Sequence, residues 1–140
     1  MVTGSDMTLF NRYYDRSSDS YKYSRTYIKG VNWQSSKGID VRKADVKSSD
    51  ATRIFVPGSA DTNGKEYVSP KTFANTANKN GIYTFSAEDV VVRGIVGYMI
   101  DDSGDFKKLH REVDDVMVIT KVADRRFGSP GMQHFELEVR

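Results

Sequence analysis

The residues able to do chemistry in this chain are few, and their spacing does not favour it. There is no cysteine, and the two histidines are His110 and His134. Without thiolates, disulfides and cysteine-based zinc sites are excluded. A metal held by the two histidines would need both brought together across the fold; the blander reading is a surface histidine or an assembly contact. Serine and aspartate are abundant enough for a Ser–His–Asp set, yet no serine sits in a G-x-S-x-G elbow. Asp101-Asp-Ser-Gly-Asp105 with Glu112 partly imitates a calcium loop, with Asp101, Ser103, Asp105 and Glu112 at the ligand positions. Phe106 stands where that loop needs glycine, and the segment reads better as a capped helix start. Gly94-Ile-Val-Gly97 has the spacing of the GxxG loop of single-strand nucleic-acid modules, but its apolar surroundings point to strand curvature. No glycine-rich phosphate motif is present. The expectation is a protein that is not an enzyme and carries no metal or cofactor.

Aromatic residues are the stronger signal. Phe10, Tyr13, Tyr14, Tyr21, Tyr23, Tyr27 and Trp33 crowd the first third of the chain, interspersed with Arg12, Arg25 and Lys29. On a sheet, such rings could stack bases. They could equally divide between a core and a subunit interface, where tyrosine and arginine are favoured. Acidic residues among them favour the interface. The candidate interface residues are Tyr13, Tyr14, Tyr27 and Trp33, with Arg125, Arg126 and His134 from the end of the chain. A second candidate is the polar arm carrying Lys37, Arg42, Lys43 and Lys47 against Asp40 and Asp45. Alone it is a solvated loop; in a ring it could line a channel and touch phosphate without reading sequence.

The elements that must position these residues are mostly strands. Thr8–Tyr14 and Tyr21–Trp33 read as a hairpin across a polar break, with Gly30 as a bulge or kink. Gln34–Ala51 is a first insert. Thr52–Pro57 is a strand ended by proline and glycine. Residues 60–81 form a second insert, with an Asn63-Gly64 turn, a short strand at Tyr67-Val68 and a short helix started by Ser69-Pro70. After Ile82–Phe85 and a turn at Ser86–Asp89, Val90–Ile100 reads as a curved central strand. Asp102–Asp115 is the best helix, with Phe106, Leu109 and Val113 on one face. Val116–Val122 is a strand. The closing strand, Gln133–Arg140, points Phe135, Leu137 and Val139 inward. The expected fold class is mainly β: a small β-barrel or sandwich with long loops and one or two short helices.

At 140 residues, with 38% hydrophobic and 29% charged residues, the chain suits one modest core. A net charge of +2, with mixed signs, is a weak footprint for nucleic acid. No apolar run reaches bilayer length, so no membrane partner is expected. From the polar start, no signal peptide is expected. Residues 1–7 are expected to be a flexible N-terminal extension, with Met7 an alternative start, and 8–140 one β-barrel-like domain carrying inserts 34–51 and 60–81.

The ordered pieces Thr8-Leu-Phe-Asn-Arg-Tyr-Tyr-Asp15, Tyr27-Ile-Lys-Gly-Val-Asn-Trp-Gln34 and Ile54-Phe-Val-Pro57 resemble an uncharacterised family of small proteins from tailed bacteriophages and prophages of Gram-positive bacteria. So do Tyr67-Val-Ser-Pro-Lys71, Asp89-Val-Val-Val-Arg-Gly94, Asp115-Val-Met-Val-Ile-Thr120 and Gly128-Ser-Pro-Gly-Met-Gln-His-Phe-Glu136. More broadly, the plan is similar to head-closure (stopper) and head–tail joining proteins. That resemblance implies a small β-barrel forming a homo-oligomer of six or twelve copies in the virion neck. It implies a portal or adaptor ring above, a tail protein below, non-specific contact with packaged DNA, and host cytoplasm during assembly. It carries no catalytic residues. The second insert and the Asp102–Asp115 helix depart from shorter joiners and leave room for a tail completion or terminator role. The remaining alternative is a nucleic-acid-binding β-barrel module.

Overall fold

The computed structural model describes residues 4–35, 52–97, 100, 103–113 and 115–140. Among these the fold is mainly β with two short helices. Its strands are β1 (Ser5–Asp15), β2 (Ser20–Ser35), β3 (Thr52–Pro57), β4 (Glu66–Tyr67), β5 (Ile82–Tyr83), β6 (Val90–Arg93), β7 (Val116–Arg125) and β8 (His134–Val139). The helices are α1 (Pro70–Asn75) and α2 (Ser103–Glu112).

Six strands pair in the order β1-β2-β3-β8-β7-β6, and β6 returns to β1, which closes the circuit as a barrel. Its ladders fall into two antiparallel sheets that share β2 and β7, so the architecture is also a two-layer sandwich joined along both seams. Strands that serve two sheets must bend, and bends are made by bulges. In β2 the bend falls at Gly30, whose φ of 85° suits glycine. There the register against β1 slips, and Lys29 exchanges backbone hydrogen bonds with Asp61. In β7 the register slips between Ile119 and Lys121.

The core fills the space between the layers with Met7, Leu9, Ile28, Val31, Trp33, Ile54, Val91, Ile119, Leu137 and Val139 among others. A second cluster lies on the outer face of β1 and β6, where Phe10, Val90, Val92, Ile100 and Leu109 of α2 meet. β1 is therefore buried on both faces from Met7 to Asn11, which explains its lack of alternation.

Several expectations change here. The strand begins at Ser5 and Met7 is fully buried, so at least residues 5–7 belong to the fold instead of a flexible extension; residues 1–3 lie outside the described residues. The apolar run from Val90 is a strand only as far as Arg93. Gly94, at φ 96°, turns it: its N–H donates to the Asp6 carbonyl at 2.7 Å, and its own carbonyl accepts from the Thr8 hydroxyl at 2.8 Å. The helix runs over Ser103–Glu112, shorter than the expected 102–115. The second insert keeps its expected helix start, with Ser69 accepting from the Thr72 N–H at 3.2 Å and Pro70 next; what is added is the parallel pairing of β4 and β5 across α1.

Strand direction sorts the connections. β1, β3 and β7 run one way, and β2, β6 and β8 the other. One end, the hairpin end, thus carries the β1–β2 turn, the whole β3–β6 connection with α1, and the β7–β8 loop. The opposite end carries both described termini, the α2 connection, and the departure and return of residues 36–51 at Ser35 and Thr52, which pair directly.

Candidate assembly surface

At the hairpin end, β1 and β2 extend as a ribbon whose turn spans 16–19. Asp15 folds that turn back, accepting from the Ser17 and Ser18 hydroxyls at 2.9 Å and 3.0 Å, and pairs with Lys22 at 2.9 Å. Lys22, then the serine hydroxyls, hold its carboxyl well below the usual range. Tyr14 and Tyr21 oppose one another on the ribbon, their rings edge to face at 5.6 Å and each 49% exposed. The Tyr14 hydroxyl bonds Asp19, and the Arg12 guanidinium lies 3.7 Å over the Tyr21 ring.

Between this ribbon, α1 and the 86–89 turn lies a cleft of about 440 Å³. Tyr13, Pro70, Phe73, Ala74 and Ala87 form apolar walls, and Arg12, Arg16, Glu88 and Asp89 supply charge. Its floor is a buried polar knot. Asp89 accepts from Asn11 Nδ2 at 2.8 Å, the Arg12 N–H at 2.9 Å and the Ser86 N–H at 3.0 Å. Asn11 also donates to the Thr84 carbonyl at 2.7 Å and accepts from the Thr84 N–H at 3.2 Å. Burial pushes the Asp89 carboxyl up to about 7 against the pull of those donors and of Arg12. The knot fastens the 84–89 segment onto β1, which fixes one wall of the cleft.

Across the circuit stands the β7–β8 loop. Phe127 is 67% and Met132 71% exposed. Beneath them Arg126 is gripped by Asp124, with Nε–Oδ1 2.9 Å and a second guanidinium contact of 2.8 Å, and spreads over the Tyr67 and Phe135 rings at 4.5 Å and 4.8 Å. Tyr67, Tyr83, Phe85 and Phe135 stack beneath it and plug this end of the core. The Asp124 contact raises the Arg126 pKa further.

The residues expected to form an interface are dispersed. Tyr13 is half-buried, 6.3 Å from Phe73, with the Lys79 ammonium 4.8 Å over its ring. Tyr27 is half-buried beneath Arg25. Trp33 is a core residue, 9% exposed, because Gly30 shifts the alternation of β2 and turns the indole inward; it is removed from the interface set. Arg125 reaches Glu136 at 3.7 Å. His134 bonds the Met132 carbonyl through Nδ1 at 2.9 Å and Glu136 through Nε2 at 3.2 Å, and those two acceptors, the carbonyl first, raise its pKa. His110 is exposed on α2. Lys37, Arg42, Lys43 and Lys47 lie outside the described residues. The closing strand pairs with β3 on one side and β7 on the other, so it offers no free edge.

Sequence reading missed the Asn11–Asp89 knot and the Phe127–Met132 tip. A signal existed for the first: Asn11 sits at an inward position in an otherwise aromatic and aliphatic strand, where an amide needs buried partners.

A mainly β protein, closed around one core and dressed at one end with aromatic hairpin tips, is the class these features define. The chain belongs to the Family of unknown function (DUF6751), whose family model matches residues 2–140. No curated protein and no solved structure matches it.

Proposed function

We propose that this protein is a structural subunit of a tailed-phage neck, a stopper-like ring component that retains DNA and joins the tail. The observation that carries this reading is the polarity of the fold. Tyr14, Tyr21, Phe127 and Met132 are exposed at one end, while the basic arm with Lys37 and Lys43 departs from the other. A subunit in a stack of rings needs that arrangement, with different partners above and below. Strand edges within the circuit are all paired, so loops and tips must make the contacts. The role is mechanical, with no bond made or broken. A tail completion or terminator position in the same neck uses the same features.

The test is to count the protein by quantitative mass spectrometry in tailless DNA-filled heads, free tails and whole virions. A fixed ring number on heads supports the stopper position. The same signal on free tails moves it to the tail terminus, and absence from all three rejects the neck.

A second reading, a nucleic-acid-binding module, has its own observation. A neighbouring cleft of about 400 Å³ shares Tyr13 and is lined by Lys22, Tyr23, Arg25, Lys65 and Lys79. Burial, then the nearby Arg25 charge, lowers the Lys65 pKa. Affinity of the isolated protein for short DNA that falls steeply with salt would favour this reading.

A further inference from the structure

We propose that the cleft lined by β2, Lys65 and the 77–80 segment is a phosphate site, in which the ammonium groups of Lys65 and Lys79 hold the phosphate of a free nucleotide or of a single strand. The site deepens the nucleic-acid reading, on which it rests, and is independent of the neck.

At about 400 Å³ the cleft falls within the size of small-ligand sites, roughly 300–1,000 Å³. Lys22, Arg25, Lys65 and Lys79 line it, all half-buried, and among the described residues no Asp or Glu does. The neighbouring carboxylates do not cancel them. Asp15 pairs with Lys22 at 2.9 Å, which takes Lys22 out of the count. Glu88 and Asp89 line the other cleft, where Arg12 and Arg16 accompany them. Glu66 follows Lys65 in the chain but is exposed and not part of the lining. Asp101 and Asp102, next to the lining residue Ile100 in sequence, lie outside the described residues. Arg25, Lys65 and Lys79 remain around one concavity.

Neutral partners alone position the two lysines. Lys65 Nζ donates to the Arg25 carbonyl at 2.6 Å and to the Thr26 hydroxyl at 3.0 Å. Lys79 Nζ donates to the Thr76 carbonyl and lies 4.8 Å over the Tyr13 ring and 5.4 Å over Phe73. Among the described residues no carboxylate pairs with either. An ammonium has three donors, so each keeps at least one for a ligand. Half-burying a cation without a counter-ion costs free energy, and the Arg25 charge adds to that cost at Lys65. A phosphate offsets both, because its several oxygens can accept from separate lysines as point charges. Asn78 shares the lining, and with its Oδ1 accepting from the Asn80 N–H at 3.1 Å its Nδ2 is left to donate. Tyr13 and Tyr23 in the same lining give a base aromatic surface beside the phosphate, which favours a nucleotide over other phosphates.

The test titrates the whole chain, in phosphate-free buffer, with inorganic pyrophosphate, a nucleoside diphosphate and a short oligothymidylate, followed by calorimetry and amide NMR. Pyrophosphate should bind saturably, with shifts confined to 22–25, 65 and 77–80. Lys65→Met and Lys79→Met keep the stem and lose the charge; each should weaken binding about tenfold, as loss of a charge-assisted hydrogen bond does. Lys121→Met, on the exposed side of β7, should leave it unchanged. Circular dichroism confirms the fold of each variant, and the parent's shifts decide independently of them. No saturable binding, shifts spread over the barrel, or equal weakening by Lys121→Met would overturn the site. Tighter binding of the nucleoside diphosphate identifies a free ligand, and tighter binding of the strand identifies its backbone. The two readings fail separately: pyrophosphate held by both lysines with no strand affinity rejects the nucleic-acid module alone, and strand affinity that survives the loss of both lysines rejects this site alone.

Discussion

Asn11 and Asp89 meet in the buried floor of the cleft, amide to carboxylate at 2.8 Å, and between them tie three separate backbone positions. Removing the amide strands the Thr84 N–H and carbonyl and takes one of two donors from the Asp89 Oδ2, which keeps the Ser86 N–H. Asn11→Ala should destabilise by about 2–3 kcal/mol, the usual cost of buried groups left unpaired. Urea unfolding followed by tryptophan fluorescence measures it; a change under about 0.5 kcal/mol would mean that the knot is not formed.

The same carboxyl makes stability depend on pH. Its pKa rises from 3.8 to about 7 in the fold, so the folded state holds the proton more tightly than the unfolded. That contribution is complete below pH 3.8 and disappears as pH climbs through 7. At about 1.4 kcal/mol per pKa unit, its ceiling is roughly 4 kcal/mol. His134, also raised, loses stability in the same direction, so the comparison is made in a His134→Gln background. There the melting temperature should fall across this window with Asp89 and much less with Asp89→Asn. Parallel profiles would refute the assignment.

Ser35 and Thr52 pair across β2 and β3, so the circuit does not need residues 36–51 to close. Replacing them with Asn-Gly supplies a two-residue hairpin turn in their place. The shortened protein should fold with a melting temperature within a few degrees of the parent. If the arm serves assembly, particles carrying it should fail to retain DNA or join tails. Normal particle yield would remove Lys37, Arg42, Lys43 and Lys47 from the functional set.

Leu109 is fully buried where α2 lies on β1 and β6. Leu109→Ala should cost about 2–5 kcal/mol and loosen the helix while the inner core stays packed. Amide exchange would then rise first in 103–113. Uniform acceleration across all strands would show that the two clusters are one cooperative unit.

Gly94 has a φ of 96° and nothing within 4 Å of where a Cβ would stand. Gly94→Ala should therefore cost about 1–2 kcal/mol through the backbone alone. A loss much above that, by chemical unfolding, would reveal a steric cause.

What was legible in the sequence was local. The Thr52–Pro57 strand, the Ser69-Pro70 helix start and the inward Phe135–Leu137–Val139 face each follow from a few neighbouring residues, and each stands where expected. The misreadings share a different cause. Met7 and the Thr8–Asn11 stretch are buried on both faces because α2, far along the chain, covers the outer one. Trp33 read as an interface anchor because the bulge at Gly30 changes which face it occupies. The run beyond Arg93 read as strand because valine and isoleucine favour strands, but the turn at Gly94 is fixed by Asp6 and Thr8. The placing of both tips at one end depends on strand order, which no local window contains.

The direct pairing of Ser35 with Thr52 has a mechanical consequence. Both feet of the 36–51 arm stand on one rung of the β2–β3 ladder. A pull that spreads those feet loads that rung before any other and opens the seam like a zipper, one hydrogen bond at a time. A pull along the strands between the two ends would instead shear many bonds together. The protein is therefore weak in one direction and stiff in the other, and the arm is attached where it is weak.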